Sequence, residues 1–134
     1  VMKSIFCLMF AIIVLGASAA FAGPVGVYDV SGQNPGDGSR YEGAVAVERN
    51  GATYVVVWRV GNDEYIGTGI GAASVKGSMT FGDAAENDTV ITVSYVSGDA
   101  FGLALFVEQP NGQWRGIWTY GGSDAIGVET WTPR

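Results

Sequence analysis

The chain has no histidine and only one cysteine among its 134 residues. The lack of histidine excludes Ser-His-Asp and Cys-His nucleophilic schemes, as well as zinc sites that use imidazole ligands. The single thiol, Cys7, lies in an apolar run near the N-terminus, so residues 23–134 contain neither a thiol nor a disulfide. Carboxylates, hydroxyls, tyrosines and Lys76 are the groups that remain for chemistry. We therefore expect a protein that is not an enzyme and that has no cofactor and no metal site.

Basic side chains are also scarce. Seven lysines and arginines stand against 13 acidic residues, which gives a formal net charge of −6. Nucleic acids and anionic membrane surfaces are recognised through basic patches, so neither is an expected partner. After the N-terminal apolar run there is no second long apolar run, and we expect no integral membrane segment in 23–134.

Residues 1–22 have the pattern of a secretory signal peptide. Lys3 supplies the initial positive charge, 5–15 is almost entirely apolar, and Ala20 and Ala22 provide the small residues of a cleavage site. The apolar run is shorter than the roughly 20 residues that a membrane-spanning helix needs. We predict cleavage after Ala22, export to the periplasm or the extracellular space, and a single domain over 23–134.

The remaining 112 residues show the two-residue period of β-strands and no convincing helical period. In 41–48, for example, Tyr41, Gly43, Val45 and Val47 fall on one face, as expected for an antiparallel strand with one buried side. Turn residues separate such runs, and an Asn-Gly pair at 50–51 is a strong hairpin signal. The pattern predicts nine strands: 25–31, 40–49, 52–60, 64–70, 74–81, 89–96, 101–108, 113–119 and 126–132. The segment 83–88 is predicted to be a polar loop.

Short strands joined by tight turns must protect their edges. Sequential hairpins favour a small antiparallel up-and-down β-barrel, a meander like that of lipocalins and avidin, with a two-sheet β-sandwich as the alternative. The segment 54–58 is apolar on both faces and therefore needs a central position or a covering loop. An aromatic-x-Gly pattern recurs at 41–43, 65–67 and 114–116, where glycine would leave room for a neighbouring ring.

Four tryptophans and six tyrosines exceed the needs of a small core. Aromatic side chains are enriched in ligand cavities and at protein interfaces. We therefore predict ligand or partner contacts through Trp58, Trp114, Trp118, Tyr41 and Tyr65, with ordinary core packing as the alternative. The spacing of Trp114 and Trp118 places both on the same face of one strand.

Several acidic residues are candidates for catalytic or metal-binding groups. A glycosidase-like hydrolase needs two carboxylates, and the available ones include Asp63, Glu64, Glu108 and Glu129. Most acids fall in turns or at outward positions of the predicted strands, so we interpret them as solvated surface charge. The acidic segment 83–88 has oxygen ligands of the kind that calcium prefers, but its spacing does not match an EF-hand, and an ordinary acidic loop is favoured.

The order of motifs resembles a family of small exported bacterial proteins, often of unknown function and sometimes labelled fibronectin-binding. The resemblance spans nearly all of 23–134 and is carried by glycine and aromatic positions in 26–35, 37–43, 54–58, 65–69, 112–118 and 127–133. It implies a secreted or periplasmic binding protein without a cofactor, and it supplies no catalytic residues. The segment 82–89 departs from the shorter hairpin expected of that pattern.

The leading expectation is a non-enzymatic binding module for an extracellular or envelope protein, such as a fibronectin-type matrix protein. A barrel that carries a small apolar ligand is the main alternative, followed by a carboxylate-based hydrolase and a structural envelope protein. An open cavity lined by tryptophan and tyrosine would favour the carrier. An exposed apolar patch would favour a protein partner, and two facing carboxylates would favour the hydrolase.

Overall fold

A computed structural model describes residues 23–134, and within them all regular structure is β-strand. The predicted signal peptide, 1–22, lies outside the described residues. The nine strands of the described range are β1 (Gly26–Gln33), β2 (Arg40–Asn50), β3 (Thr53–Val60), β4 (Asp63–Val75), β5 (Ser78–Phe81), β6 (Val90–Ser97), β7 (Ala100–Glu108), β8 (Trp114–Tyr120) and β9 (Gly127–Pro133). The described range contains no helix long and apolar enough to cross a membrane.

Eight of these strands form one closed antiparallel barrel. Each strand pairs with the next along the chain, except that β4 pairs with β6, and β9 returns to pair with β1. The closing register places Val30 opposite Trp131 and Gln33 opposite Val128. This arrangement confirms the predicted up-and-down barrel, and the β-sandwich alternative is wrong because a single sheet closes on itself. Closure leaves the barrel without an unpaired edge.

One predicted strand is wrong in detail. The run 74–81 is not a single strand, because β4 continues to Val75 and a turn at Lys76 and Gly77 leads into β5. Both turn residues have positive φ, 50° and 79°, as a two-residue primed hairpin turn requires. The short β5 pairs only with the end of β4 and is exposed throughout. The alternating residues of 75–81 therefore form a protruding hairpin and have no buried face.

Along the barrel strands, inward and outward side chains alternate as predicted. On β3, Tyr54, Val56 and Trp58 are buried, whereas Val55 and Val57 are half-buried on the outer side. The segment 54–58 has a paired strand on each side, which confirms the predicted central position.

Glycine inside the barrel makes room for aromatic rings at some of the predicted positions. A Cβ atom added to Gly116 would lie 2.4 Å from the ring of Phe106, which is fully buried and stacks on Trp131 at a centroid distance of 3.9 Å. The absence of a side chain at 116 therefore permits the stacked pair in the core.

The segment 82–89 closes one end of the barrel. Ala84 is buried, and its backbone N–H donates to the carbonyl of Ala52 at 3.0 Å. The hydroxyl of Tyr54 donates to the carboxylate of Asp88, which also accepts from the N–H of Ala85 at 3.0 Å. The polar loop that the sequence predicted is therefore a loop, but Asp88 is buried in it and is not solvated. Within 23–134, no three His, Cys, Asp or Glu side chains cluster as metal ligands would.

Replacing Ile91 by alanine tests the importance of the barrel interior. Ile91 is fully buried on β6, so Ile91→Ala should lower the free energy of unfolding by about 3 kcal/mol through lost burial and a new cavity. Ile70 on β4 is 58% exposed, and Ile70→Ala should change the same quantity by no more than about 0.5 kcal/mol. Urea unfolding followed by tryptophan fluorescence measures both. Equal losses for the two variants would contradict the inside–outside assignment.

Candidate functional site

The other end of the barrel opens into a cavity of about 400 Å³. Its mouth lies among the loops that join β1 to β2, β3 to β4, β6 to β7 and β8 to β9, where Asn34, Val60, Ala100 and Tyr120 form the rim. The residues that line the cavity are Asn34, Tyr41, Trp58, Val60, Tyr65, Tyr95, Ala100, Ala104, Phe106, Trp118, Tyr120 and Glu129. The lining is therefore mainly aromatic and aliphatic.

Four of the five residues predicted as contacts meet in this cavity: Tyr41, Trp58, Tyr65 and Trp118. The fifth, Trp114, does not. It begins β8 opposite Glu108, near the closed end, and is 1% exposed in the core. Trp114 and Trp118 do share the inward face of β8, as predicted. Their separation of four positions along the strand places Trp114 in the core and Trp118 in the cavity.

Five aromatic side chains from five different strands form what we call the aromatic wall: Tyr41, Trp58, Tyr65, Tyr95 and Trp118. Tyr95 contacts three of the others edge to face, with centroid distances of 5.9 Å to Trp58, 5.9 Å to Tyr65 and 6.3 Å to Trp118. Tyr41 meets Trp118 at 6.0 Å with the ring planes 81° apart. Such T-shaped contacts fix the rings against one another.

Tyr95 was missed as a contact residue at the level of sequence. Its alternation with Ile91 and Val93 correctly predicts that it faces inward. Tyr95 lies opposite Gly102 on β7, and a Cβ atom at 102 would fall 2.4 Å from the Tyr95 hydroxyl oxygen. The tyrosine can therefore lean across β7, where its hydroxyl donates to the carbonyl of Thr119 at 2.9 Å.

Glu129 lies at the inner side of the cavity and is the main correction to the sequence interpretation. The sequence pattern predicts a solvated surface charge at this position, but Glu129 is only 7% exposed. Its Oε1 accepts hydrogen bonds from the indole N–H groups of Trp58 at 2.8 Å and Trp131 at 2.6 Å, and the Tyr41 hydroxyl donates to Oε2. Residues 127, 129 and 131 share one strand face, so the inward Trp131 was the signal that Glu129 also faces inward.

The surroundings of Glu129 act on its ionisation in opposite directions. Burial raises the pKa of the carboxyl, and the hydrogen bonds from Tyr41, Trp131 and Trp58 oppose that rise only in part. Burial also raises the pKa of Tyr41, with further contributions from the Glu129 charge and from the hydrogen bond to it. Burial raises the pKa of Tyr95 to about 12, helped by Tyr65 and Glu129. These tyrosines therefore stay neutral over the physiological range.

Other acidic residues occupy different places. Glu108 is also 7% exposed, but it lies at the closed end opposite Trp114 and does not line the cavity. Asp63 and Glu64 lie at the start of β4 and are exposed. Glu129 is thus the one carboxylate among the described residues that line the cavity, and the cavity does not contain the facing pair of carboxylates that a glycosidase uses.

Comparisons with known proteins bear on the fold alone. No protein-family model matches the chain, and no curated protein matches it. A solved structure of a redesigned β-barrel is similar, with a TM-score of 0.57 and 12% sequence identity. The alignment covers 87% of this chain and 95% of that barrel. At this identity the likeness supports the barrel architecture and carries no functional information.

The raised pKa of Glu129 makes the stability of the barrel depend on pH. An acid whose pKa is higher in the folded state binds more protons there, so its contribution to stability is greatest in acid and is lost as the pH rises through the folded-state pKa. We expect Glu129→Gln, which cannot ionise, to lose less stability than the unmodified protein between pH 4 and pH 8. Urea unfolding at several pH values measures the difference. Parallel pH curves would contradict the assignment.

Proposed function

We propose that the protein is a non-enzymatic binding protein that holds a small, largely apolar ligand inside the open end of its barrel. The cavity of about 400 Å³ carries this proposal. Ligand sites in barrels are concave and mostly apolar, with a few polar groups that set orientation. Here the aromatic wall supplies the apolar surface, while Asn34 at the rim and Glu129 on the inner side supply the polar groups.

The wall of the cavity is preformed, which favours binding. Its side chains come from strands that are paired on both sides within a closed sheet. Edge-to-face contacts hold the rings, and hydrogen bonds from two indoles and a hydroxyl hold the Glu129 carboxylate. A ligand therefore does not bear the entropic cost of ordering its own site.

An exported location fits this proposal. In 1–22 a positive charge is followed by an apolar run and then by small residues, an order that is typical of a secretory signal. The domain that follows contains no cysteine and does not depend on the redox state of its compartment. We propose that the binding domain works in the periplasm or the extracellular space.

Blocking the mouth tests the carrier function. The inward rim residue Ala100 is exposed, so Ala100→Trp should fill the entrance without disturbing the core. The neutral fluorophore N-phenyl-1-naphthylamine should bind to the unmodified protein with increased emission. Its affinity should fall about tenfold or more in Ala100→Trp, because the added indole occupies ligand volume.

Ala52 offers a matched control, because it is an exposed alanine in the turn between β2 and β3 at the closed end. Ala52→Trp adds the same indole away from the mouth and should bind the fluorophore like the unmodified protein. If the fluorophore does not bind, or if both variants lose affinity equally, the cavity is not the binding site.

A second candidate function rests on the outer surface of the barrel. Apolar side chains that point outward form what we call the outer apolar band: Ile66, Val96, Phe101, Leu103, Leu105, Ile117 and Val128. Their exposed fractions range from 40% to 61%. Ile66, Val96 and Phe101 are paired across three strands, as are Leu105, Ile117 and Val128.

Contiguous exposed apolar surface of this kind favours a protein partner. Together with the resemblance to proteins labelled fibronectin-binding, it supports binding to an extracellular-matrix or envelope protein. Ligand binding within the barrel and partner binding outside it use different surfaces of the same domain.

Two valines with similar exposure separate the band from the rest of the surface. Val128 is 46% exposed within the band, and Val27 is 49% exposed on β1 outside it. If the band binds immobilised fibronectin, Val128→Asp should weaken retention about tenfold by placing a charge in an apolar contact, whereas Val27→Asp should not. Surface plasmon resonance measures both. Absence of retention, or equal losses, would contradict this second function.

A further inference from the structure

We infer that the ligand of the barrel is an organic cation, whose ammonium group lies within the aromatic wall and faces the carboxylate of Glu129. This inference rests on the proposed carrier function and specifies the chemical class of the ligand. It combines three features of one cavity: aromatic surface on several sides, a buried acid, and the absence of a basic side chain among the described lining residues.

The aromatic wall suits a cation as well as an apolar ligand. Its tyrosines and tryptophans present π surfaces with negative faces, which attract alkylammonium groups within about 6 Å of a ring centroid. In its edge-to-face pairs the ring planes are 63° to 81° apart. Because these rings are not stacked face to face, ring surface remains available to the cavity.

Glu129 supplies the complementary charge. Its side chain is nine-tenths buried, lines the cavity, and is held by donors from β2, β3 and β9. All three donors, Tyr41, Trp58 and Trp131, are neutral groups, so they orient the carboxylate without neutralising it. An ionised carboxylate that is buried without a counter-charge is costly, and an opposite charge close to it offsets part of that cost. A bound ammonium group would provide that charge.

Electrostatics outside the cavity acts in the same direction. The chain carries a formal net charge of −6, and residues 23–134 carry −7. A negative protein concentrates cations near its surface and accelerates their association.

Binding should also be linked to the protonation of Glu129. The ionisable groups that act on this carboxyl are Tyr41 on β2 and Tyr95 on β6; both are neutral near pH 7, and burial raises their pKa values further above that range. Burial favours the protonated form of Glu129 in the empty cavity, whereas a cation favours the ionised form. Affinity for a cation should therefore rise with pH over the titration of Glu129, while affinity for a neutral ligand of the same shape should not.

A matched pair of compounds provides the test. Phenyltrimethylammonium and tert-butylbenzene have the same shape and differ in that nitrogen replaces carbon and brings a positive charge. Binding to the purified protein at pH 8 is followed by tryptophan fluorescence, since Trp58 and Trp118 line the cavity. The ammonium compound should bind about tenfold more tightly than the hydrocarbon, a ratio within the range of desolvated cation–π and ion-pair contributions.

Two glutamates with equal exposure identify the charge responsible. Glu129→Gln keeps the size of the side chain and its capacity to accept from the indoles, and it should reduce the preference for the ammonium compound about threefold or more, leaving only the cation–π contribution of the aromatic wall. Glu108→Gln removes a carboxylate that is also 7% exposed but lies at the closed end, and it should retain the preference. If both variants behave alike, Glu129 does not recognise the ligand and the inference fails.

A second variant keeps the test decisive if Glu129→Gln does not fold. Tyr65 is half-buried in the aromatic wall, and Tyr65→Leu replaces its ring with aliphatic volume. Affinity for phenyltrimethylammonium should then fall about fivefold, with less than a twofold change for tert-butylbenzene. Equal losses for the two compounds would overturn the inference.

The remaining outcomes separate the two proposals. If tert-butylbenzene binds as tightly as the ammonium compound, or more tightly, the cation inference is wrong and the carrier function stands. If neither compound nor N-phenyl-1-naphthylamine binds, both proposals are wrong.

Discussion

The pairing of β1 with β9 is the constraint on which the rest of the structure depends. It joins strands from opposite ends of the described chain, with Tyr28 opposite Pro133 and Gln33 opposite Val128. Once the sheet is closed, its inward face must enclose a volume, and the sizes of the inward side chains decide how much of it is filled. Trp114, Trp131 and Phe106 fill the interior toward the closed end of the barrel. Toward the mouth, small inward residues on β7 leave the space that becomes the cavity.

A closed, apolar interior also changes the chemistry of the few polar groups inside it. Glu129 takes its hydrogen bonds from side chains of β2, β3 and β9, and the bonds from Tyr41 and Trp58 connect β9 to β2 and β3 across the interior. Removing such a carboxylate from water is costly unless its oxygens accept hydrogen bonds from protein groups. Glu129 is therefore both a structural cross-link and a buried ionisable group whose pKa is raised by burial. That dual role is common where binding or chemistry takes place in a hydrophobic core.

Much of the architecture was predictable from local patterns, because strand alternation and turn chemistry are properties of neighbouring residues. The hairpin between β2 and β3 and the inward faces of β2, β3 and β6 followed in this way, although the turn residues are Gly51, with a φ of 61°, and Ala52, one position later than the predicted Asn50 and Gly51. The turn at Lys76 and Gly77 was missed because the alternation continues through it. The alternation of 127, 129 and 131 already places Glu129 on the inward face, but its hydrogen-bond donors Tyr41 and Trp58 come from strands that only the closed barrel brings together. Trp114 and Trp118 look equivalent along the strand, and their different depths are set by the register with β7 and β9.

Because the segment 82–89 covers one end of the barrel, the cavity opens at the other end. For the proposed ligand, entry and exit would therefore use the same opening. That path runs between four short connections that contain glycines with positive φ, including Gly36, Gly61, Gly98 and Gly122. For a ligand held as proposed, these connections would border the route of exchange, whereas the paired strands beneath them would supply the contacts that select it. Under that proposal, the residues that set the exchange rate would differ from those that set selectivity, so each property could change without the other.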